Sequence, residues 1–272
     1  GDLDYVQGID NDNIAWWEND GNADPSWQVH RLPHNLDTGS NQGACHVHPA
    51  DVDGDGDMDI IASFHYIDTV VWFENDGNAD PTWTVVEIAT DLDGAYEISA
   101  EDMDADGDMD IVVVTKIDDG PIVWFENDGA ADPSWTMGYI TTIHGRSDGA
   151  SVADIDGDGD MDVMAPSYQN NTITWYENDG NTDPSWTVAD EFAVNDPSFA
   201  QVVDIDGDGE VTEEELWHYR QKLREERAAL SVQTCVAPIT LMLHPEVCTG
   251  WGEVCPAWFV HVRPDVSMPC HP

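Results

Sequence analysis

Two phrases alternate along the chain with a period near 50 residues, and this repeat constrains the fold more than any other feature. The acidic phrase reads DVDGDGDMDI at 51–60, DMDADGDMDI at 102–111, DIDGDGDMDV at 154–163 and DIDGDGEV at 204–211. The aromatic phrase reads WWENDGNADPSW at 16–27, WFENDGNADPTW at 72–83, WFENDGAADPSW at 124–135 and WYENDGNTDPSW at 175–186. The acidic phrase returns after 51, 52 and 50 residues, which indicates one supersecondary unit copied several times.

Each unit has the pattern of four short strands. A β-branched run such as 111–114 follows the acidic phrase, and a second run such as 69–73 ends in the aromatic pair. The Asn-Asp-Gly that comes next is a turn signal, and a further run such as 83–88 completes the unit. Four strands per 50 residues without a helical period predict an all-β chain built as a β-propeller.

The phase of the repeat bears on ring closure. Residues 1–6 align with 56–61, so the chain begins after the middle of an acidic phrase, whereas 198–203 align with the first strand of a unit. We therefore predict four blades, with the first blade completed by both ends of the repeat region. Two alternatives remain: a fragment of a longer array, and a last strand that completes a neighbouring subunit.

Charge marks a domain boundary and excludes some partners. The net charge is -48, and residues 1–215 contain 51 acidic and three basic residues, whereas 216–272 are neutral overall. A chain this acidic lacks the cations that neutralise phosphates, so nucleic acid is excluded as a partner. No apolar run reaches the length of a membrane span, so membrane insertion is not expected. We predict three parts: the propeller at 1–212, a helix at 213–230 and a Pro- and Cys-rich tail at 231–272.

The acidic phrases have the composition of calcium sites. Calcium binds six to eight oxygen atoms in a flexible cage, and glycines let the chain curl around the ion. Alternate aspartates without a cation would repel one another, and magnesium demands tighter geometry. The predicted ligands of the three complete loops are Asp51, Asp53, Asp55, Asp57 (by its carbonyl) and Asp59; Asp102, Asp104, Asp106, Asp108 and Asp110; and Asp154, Asp156, Asp158, Asp160 and Asp162.

The acidic loop followed by a strand and the phrase WFENDG resembles the FG-GAP/VCBS repeat family, and the loops look like the calcium hairpins of integrin α-subunit propellers. The resemblance covers residues 1 to about 208. It implies a secreted β-propeller that holds calcium for structural reasons. Members of the family serve in adhesion, carbohydrate contact and surface assembly, and some lie beside catalytic domains.

The fourth loop departs from this pattern, because 204–215 fit the twelve-residue loop of an EF-hand and a helical sequence follows. No incoming helix precedes it, which argues against a calcium-sensor role. We expect Glu215 to complete its ion shell, with Asp4 across the closed ring as the alternative. The predicted ligands are Asp204, Asp206, Asp208, Glu210 and Glu215, which brings the expected number of Ca2+ ions to three or four.

A second set of polar residues lies in the strands before the loops. His46 and His48 precede the first loop, and Glu97 takes the place of His46 one unit later. Alternation along a strand puts these side chains on one face, predicted to line the central channel. They are candidates for a transition-metal or ligand site, or for the site of an enzyme, against the plainer interpretation that they line a wet tunnel.

The remaining signals concern secretion. Four cysteines in the tail are candidates for disulfides, with a zinc site that includes tail histidines as the alternative: Cys235, Cys248, Cys255 and Cys270. Asn170 begins an Asn-Asn-Thr acceptor motif for glycosylation.

These observations favour a secreted, non-catalytic, calcium-binding propeller that acts as a structural or adhesive module, with a filament or surface assembly as its expected setting. Its expected partners are further copies of itself, or extracellular proteins and glycans, and its expected location is extracellular or at the cell surface. The alternative is a carbohydrate-binding propeller in which the repeated Trp and Tyr side chains stack on sugars. An enzyme with its site in the central channel is the third hypothesis.

Overall fold

In a computed structural model of the chain, residues 3–9, 13–22, 24–32, 44–78 and 80–202 are described. They form β-strands joined by turns, in chain order β1 (Tyr5–Ile9), β2 (Asn13–Asn19), β3 (Trp27–Arg31), β4 (His46–Ala50), β5 (Asp59–Phe64), β6 (Thr69–Asn75), β7 (Trp83–Ala89), β8 (Ala95–Glu101), β9 (Asp110–Thr115), β10 (Ile122–Asn127), β11 (Trp135–Thr141), β12 (Ser151–Ala153), β13 (Asp162–Ser167), β14 (Thr172–Asn178) and β15 (Trp186–Ala193).

The strands pair in sequence order into four antiparallel sheets, one for each repeat. Sheet 1 contains β1–β3, sheet 2 contains β4–β7, sheet 3 contains β8–β11 and sheet 4 contains β12–β15. Every neighbouring pair is antiparallel, with the aromatic phrase on the third strand of each complete sheet. The prediction of an all-β fold with one propeller-like blade per repeat is confirmed.

The aromatic pair on the third strand explains how the sheets stack. Trp72 packs into the core between sheets 2 and 3, whereas the next residue, Phe73, packs into the core between sheets 1 and 2. Trp124 and Phe125 repeat this division one sheet later. Because neighbouring side chains on a strand point to opposite faces, two adjacent aromatic residues fill the interfaces on both sides of a blade.

The predicted ring closure is only partly represented in the described residues. Sheet 1 has three strands, and residues 198–202 are not a strand in this structure. Ala200 and Val202 nevertheless pack against the free face of sheet 4, and the Val202 N–H donates to Ser151 Oγ at 3.1 Å. This is the side of sheet 4 on which the first strand of the next blade is expected, and closure itself stays a prediction.

Several sequence predictions lie outside the described residues. These are the fourth loop at 204–215 with Glu210 and Glu215, the helix at 213–230, and the tail with Cys235, Cys248, Cys255 and Cys270. Among the residues that the structure describes, no helix has the length and apolar character needed to span a membrane.

Candidate metal centres

Three acidic loops connect the first and second strands of sheets 2, 3 and 4. We name them loop A (51–59), loop B (102–110) and loop C (154–162). In each loop the aspartates at positions 1, 3 and 5 bring carboxylate oxygens within 4.8 Å of one another: Asp51, Asp53 and Asp55; Asp102, Asp104 and Asp106; Asp154, Asp156 and Asp158. The structure therefore brings together three of the five predicted ligands of every complete loop.

Hydrogen bonds from backbone N–H groups to aspartate carboxylates hold the loops in this shape. In loop A, Gly56 N–H donates to Asp51 Oδ2 at 3.1 Å, and Asp57 N–H donates to Asp55 Oδ1 at 2.9 Å. The two glycines of the loop have positive φ angles of 72° and 98°, which the absence of a Cβ permits at little cost. Loop B carries Ala105 at the first of these positions, and it adopts φ 60° all the same.

The ninth residue of each loop has a second set of partners. Asp59 is 1% exposed, and its Oδ2 accepts hydrogen bonds from the Val52 N–H (3.2 Å) and the Trp72 indole (3.0 Å). Its Oδ1 accepts from Asn75 N–H at 2.8 Å. Asp162 repeats the pattern in full, and Asp110 repeats the two backbone N–H bonds. Asp4 of sheet 1 accepts from the Trp16 indole and the Asn19 N–H. These aspartates fasten the loop to the third strand of its own sheet.

The seventh residue of each loop lies beside the Asn-Asp-Gly turn. A Cβ on Gly77 would approach the carboxylate of Asp57 to 1.9 Å, and Gly129 and Gly180 stand in the same relation to Asp108 and Asp160. The turn therefore needs glycine both for its φ of 66° at Gly77 and for the close approach of this side chain.

The donor set fits a hard divalent cation. Asp51 Oδ1 is buried and accepts no hydrogen bond from any described residue, so one acceptor points into the loop without a partner. Burial, together with the charges of Asp55 and Asp51, raises the pKa of Asp53. Burial and the neighbouring Asp106 raise the pKa of Asp104 to about 6. The raised pKa values show that the ionised form of these carboxylates is unfavourable on its own. Calcium prefers oxygen ligands, and its charge would offset the repulsion between the carboxylates.

Burial also raises the pKa of the aspartates at the ninth position, to about 6 for Asp59, about 7 for Asp110 and about 6 for Asp162. Their hydrogen bonds oppose this shift, since they favour the ionised form. At neutral pH the attachment of the loops to their blades thus depends on ionised aspartates, and burial makes this ionised form unfavourable. A nearby cation would stabilise it.

Two of the three predicted channel residues, His46 on β4 and Glu97 on β8, lie in contact. His46 Nε2 lies 3.5 Å from Glu97 Oε2, and a Cβ on Gly149 would contact both Glu97 and Phe199. Burial raises the pKa of Glu97 to about 8, with a further contribution from Asp148. Burial also lowers the pKa of His46.

His48 lies two residues further along β4, and its pKa is lowered by burial and by His46. The three candidates His46, His48 and Glu97 do not converge into a metal-binding group as the three loops do. The geometry thus gives a half-buried His–Glu contact rather than a transition-metal centre.

Asn170 is exposed, as a glycosylation acceptor has to be. Its Nδ2, the atom that a glycan would occupy, donates to the His144 carbonyl at 2.8 Å. Glycosylation replaces one of the two Nδ2 hydrogens, so the bond to His144 would have to use the remaining one.

The sequence interpretation missed the role of the asparagine in the aromatic phrase. Asn127 and Asn178 are each 1% exposed and reach into the acidic loop of the preceding sheet. Their recurrence in every WxEN phrase was the available signal, but the adjoining Asp-Gly favoured reading them as turn residues alone. The second missed signal is the apolar residue between the first two aspartates, which is buried as Val52, Met103 and Ile155.

Comparison with known proteins gives the following relationships. Among the curated proteins there is no match. Among the solved structures, a lectin of Agrocybe aegerita, described as recognising non-reducing terminal N-acetylglucosamine, is 17% identical with a TM-score of 0.46. The match covers 74% of this chain and 55% of the lectin chain, so it spans about half the length of that structure. The family model described as FG-GAP-like repeat matches residues 1–62, 102–165 and 154–211, which is more than half of the sequence, and the chain therefore belongs to the FG-GAP-like repeat family.

Proposed function

We propose that this chain is an extracellular, calcium-binding structural or adhesive module without catalytic activity. The observation that carries the proposal is the threefold convergence of aspartates at equivalent positions of consecutive blades. Each group lies in a loop anchored between the first two strands of a blade, so a bound ion would brace the propeller rather than face a substrate cleft. FG-GAP-like membership supports the same role.

The cation claim is tested by titration with Ca2+ and with Tb3+, which takes up oxygen ligands in a similar way. Trp72 donates to the aspartate at the end of loop A, so indole-sensitised terbium emission should report binding there. We expect saturable binding, with Ca2+ displacing Tb3+. Asp53→Asn, Asp104→Asn and Asp156→Asn should each remove one ion. The proposal fails if the chain binds no ion, or if the three substitutions leave the stoichiometry unchanged.

The assembly part of the proposal has its own experiment. Self-assembly is proposed because sheet 1 presents an open outer face to its surroundings, where Trp27 is 48% exposed and Val29 is 51% exposed. Electron microscopy of the calcium-loaded chain should show filaments or rings of several copies. Single particles at every concentration tested would restrict the role to contact with other extracellular proteins or glycans.

A carbohydrate-binding role is the second candidate, and the buried tryptophans narrow it. Trp72, Trp124 and Trp175 are at most 7% exposed, so these repeated side chains cannot stack on sugars. An open cavity of about 360 Å3 in sheet 1 is instead lined by Tyr5, Trp17 and Trp27. Aromatic faces of this kind suit the apolar face of a sugar ring.

The predicted ring closure would cover the same face of sheet 1, so an accessible sugar site and a fully closed ring exclude each other. Binding to a glycan array that Trp27→Ala abolishes would favour the carbohydrate role. Tyr66→Ala is the matched control, because Tyr66 is a 63% exposed aromatic residue in the turn between β5 and β6. Absence of binding to any glycan would remove this candidate.

A further inference from the structure

Loops A and B are each attached to the next blade through one buried asparagine. Asn127 Nδ2 of sheet 3 donates to the Val52 carbonyl of loop A at 2.9 Å, and Asn178 Nδ2 of sheet 4 donates to the Met103 carbonyl of loop B at 2.8 Å. Both bonds join residues 75 positions apart. The same atomic link therefore occurs at two successive interfaces.

The orientation of these amides is fixed by their other partners. Asn127 Nδ2 also donates to the Met109 carbonyl at 3.1 Å, and its Oδ1 accepts from the Gly129 N–H at 3.0 Å. Carbonyls only accept and N–H groups only donate, so a flipped amide would lose all of these bonds. Asn178 has the equivalent partners Met161 and Gly180.

The carbonyls that accept these bonds lie inside the candidate cation sites. Val52 stands between the ligands Asp51 and Asp53, and Met103 stands between Asp102 and Asp104. Their side chains are 2% and 1% exposed, and they pack into the cores between sheets 2 and 3 and between sheets 3 and 4. A cation that fixes the aspartates at positions 1 and 3 would therefore also fix the peptide unit between them, which the neighbouring blade holds.

The connection continues into the next site through the backbone of the same asparagine. Asn127 N–H donates to Asp110 Oδ1 at 2.8 Å, and Asp110 Oδ2 accepts from Met103 N–H at 3.0 Å. The Met103 carbonyl in turn accepts from Asn178. Asn178 N–H donates to Asp162 Oδ1 at 2.8 Å, and Asp162 Oδ2 accepts from Ile155 N–H in loop C at 3.3 Å. An unbroken run of buried hydrogen bonds thus joins loops A, B and C.

We propose that the three loops bind cations cooperatively from blade to blade, with Asn127 and Asn178 as the positioning residues that couple them. The inference rests on the proposed calcium-binding function. Filling one loop orders the asparagine of the next blade, and this asparagine already holds the aspartate that fastens its own loop. The first ion therefore reduces the conformational entropy that the next loop still has to lose when it binds its own ion.

The experiment is a calcium titration followed by peptide-resolved hydrogen exchange, which gives a separate midpoint for each loop. Asp104→Asn removes a ligand of loop B only. With Asn127 intact, it should weaken calcium binding at loop A by about fivefold or more, a usual size for coupling between sites. In the Asn127→Ala background, Asp104→Asn should leave the loop A midpoint unchanged.

Asn75→Ala is the matched control. Asn75 makes the same contacts within its own blade, to the Met58 carbonyl at 3.0 Å and from Gly77 N–H at 3.0 Å, and its described partners all lie in sheet 2. The shift caused by Asp104→Asn should persist in this background. Asp156→Asn should likewise shift the midpoint of loop B, a measurement that needs no change at either asparagine and so does not depend on Asn127→Ala folding.

The inference is overturned if Asp104→Asn leaves loop A unmoved in the otherwise unchanged chain, or if the shift survives Asn127→Ala. Binding at independent sites would refute the coupling alone, whereas no calcium-dependent protection in any loop would refute the proposed function itself.

Discussion

At the scale of single residues, each acidic loop divides its aspartates between two tasks. The aspartates at positions 1, 3 and 5 turn carboxylate oxygens toward a common point, whereas the aspartate at position 9 turns both oxygens toward N–H donors of its own blade. The sequence shows five similar aspartates. Only the fold distinguishes an aspartate that is a candidate cation ligand from one whose oxygens already accept hydrogen bonds from the protein.

This division predicts that Asp53→Asn acts on calcium binding rather than on the apo fold. Asp53 Oδ1 accepts one hydrogen bond, from Asp55 N–H at 3.2 Å, and an asparagine oxygen can accept the same bond. In EDTA the unfolding free energy should change by no more than about 0.5 kcal/mol. In calcium, isothermal titration should show one ion fewer. Asp183→Asn, at an exposed turn position, should change neither quantity.

Glu97 gives a prediction about pH. Its pKa is raised from 4.5 to about 8, so between these values the folded state holds a proton that the unfolded state has released. Stability should therefore fall as pH rises through this window, by about 1.4 kcal/mol per pH unit from this group. Glu97→Gln should flatten this part of the curve measured by urea unfolding.

Glu87→Gln is the comparison variant, because Glu87 is exposed on β7. Its curve should follow that of the unchanged chain. If the curves of Glu97→Gln and the unchanged chain run parallel from pH 5 to 8, burial of a protonated Glu97 is wrong.

At the scale of elements, local stability depends on the hydrogen bonds that attach each acidic loop to its own blade. Asp59 attaches the loop to β6 by three hydrogen bonds: from Val52 in the loop, from Trp72 in the middle of β6 and from Asn75 at its end. All of these bonds are buried or half-buried, and a buried donor left without an acceptor costs about 1–3 kcal/mol.

Asp59→Asn should therefore destabilise the chain even without calcium. An asparagine offers one acceptor oxygen, and its amide would turn donors toward the indole or the Val52 N–H. We expect a loss of about 1–3 kcal/mol in EDTA at pH 7.5, measured by urea unfolding. Asp55→Asn in the same loop is the control and should have little effect in EDTA. Equal effects of the two substitutions would contradict the division of tasks.

The repeat predicts these elements closely but not their contacts between blades. The runs 69–73, 83–88 and 111–114 lie inside β6, β7 and β9, because alternation and turn residues act locally along the chain. The bond from Asn127 to Val52 depends on how one sheet is placed on the next, 75 residues apart. Periodicity shows that Asn127 recurs, but the partner of its side chain follows from the stacking of the sheets.

At the scale of the whole molecule, the acidic loops lie where the blades depend on one another. Val52 and Met103 connect loops A and B to inter-blade cores, so stabilising a loop also stabilises an interface. The charge of residues 1–215 opposes this compact state through self-repulsion, since 51 acidic residues face three basic ones. Three bound divalent ions would cancel six of these charges at the sites where carboxylates lie closest together.

Calcium should therefore raise the melting temperature strongly. An ion at 100 times its Kd stabilises the folded state by about 2.7 kcal/mol per site, and for a domain of this size 1 kcal/mol shifts Tm by about 2–4 °C. Three loops filled at this level should raise Tm by about 15–30 °C in differential scanning calorimetry.

The variant with Asp53→Asn, Asp104→Asn and Asp156→Asn together separates specific binding from general screening. Screening by NaCl acts on the whole acidic surface, so at matched ionic strength it should raise Tm of this variant and of the unchanged chain by similar amounts. Calcium, added over the same range, should leave the triple variant near its EDTA value while the unchanged chain rises. If NaCl reproduces the full calcium effect, the loops act only as part of an acidic surface. If calcium stabilises both chains equally, the stabilising ions bind elsewhere than at loops A, B and C.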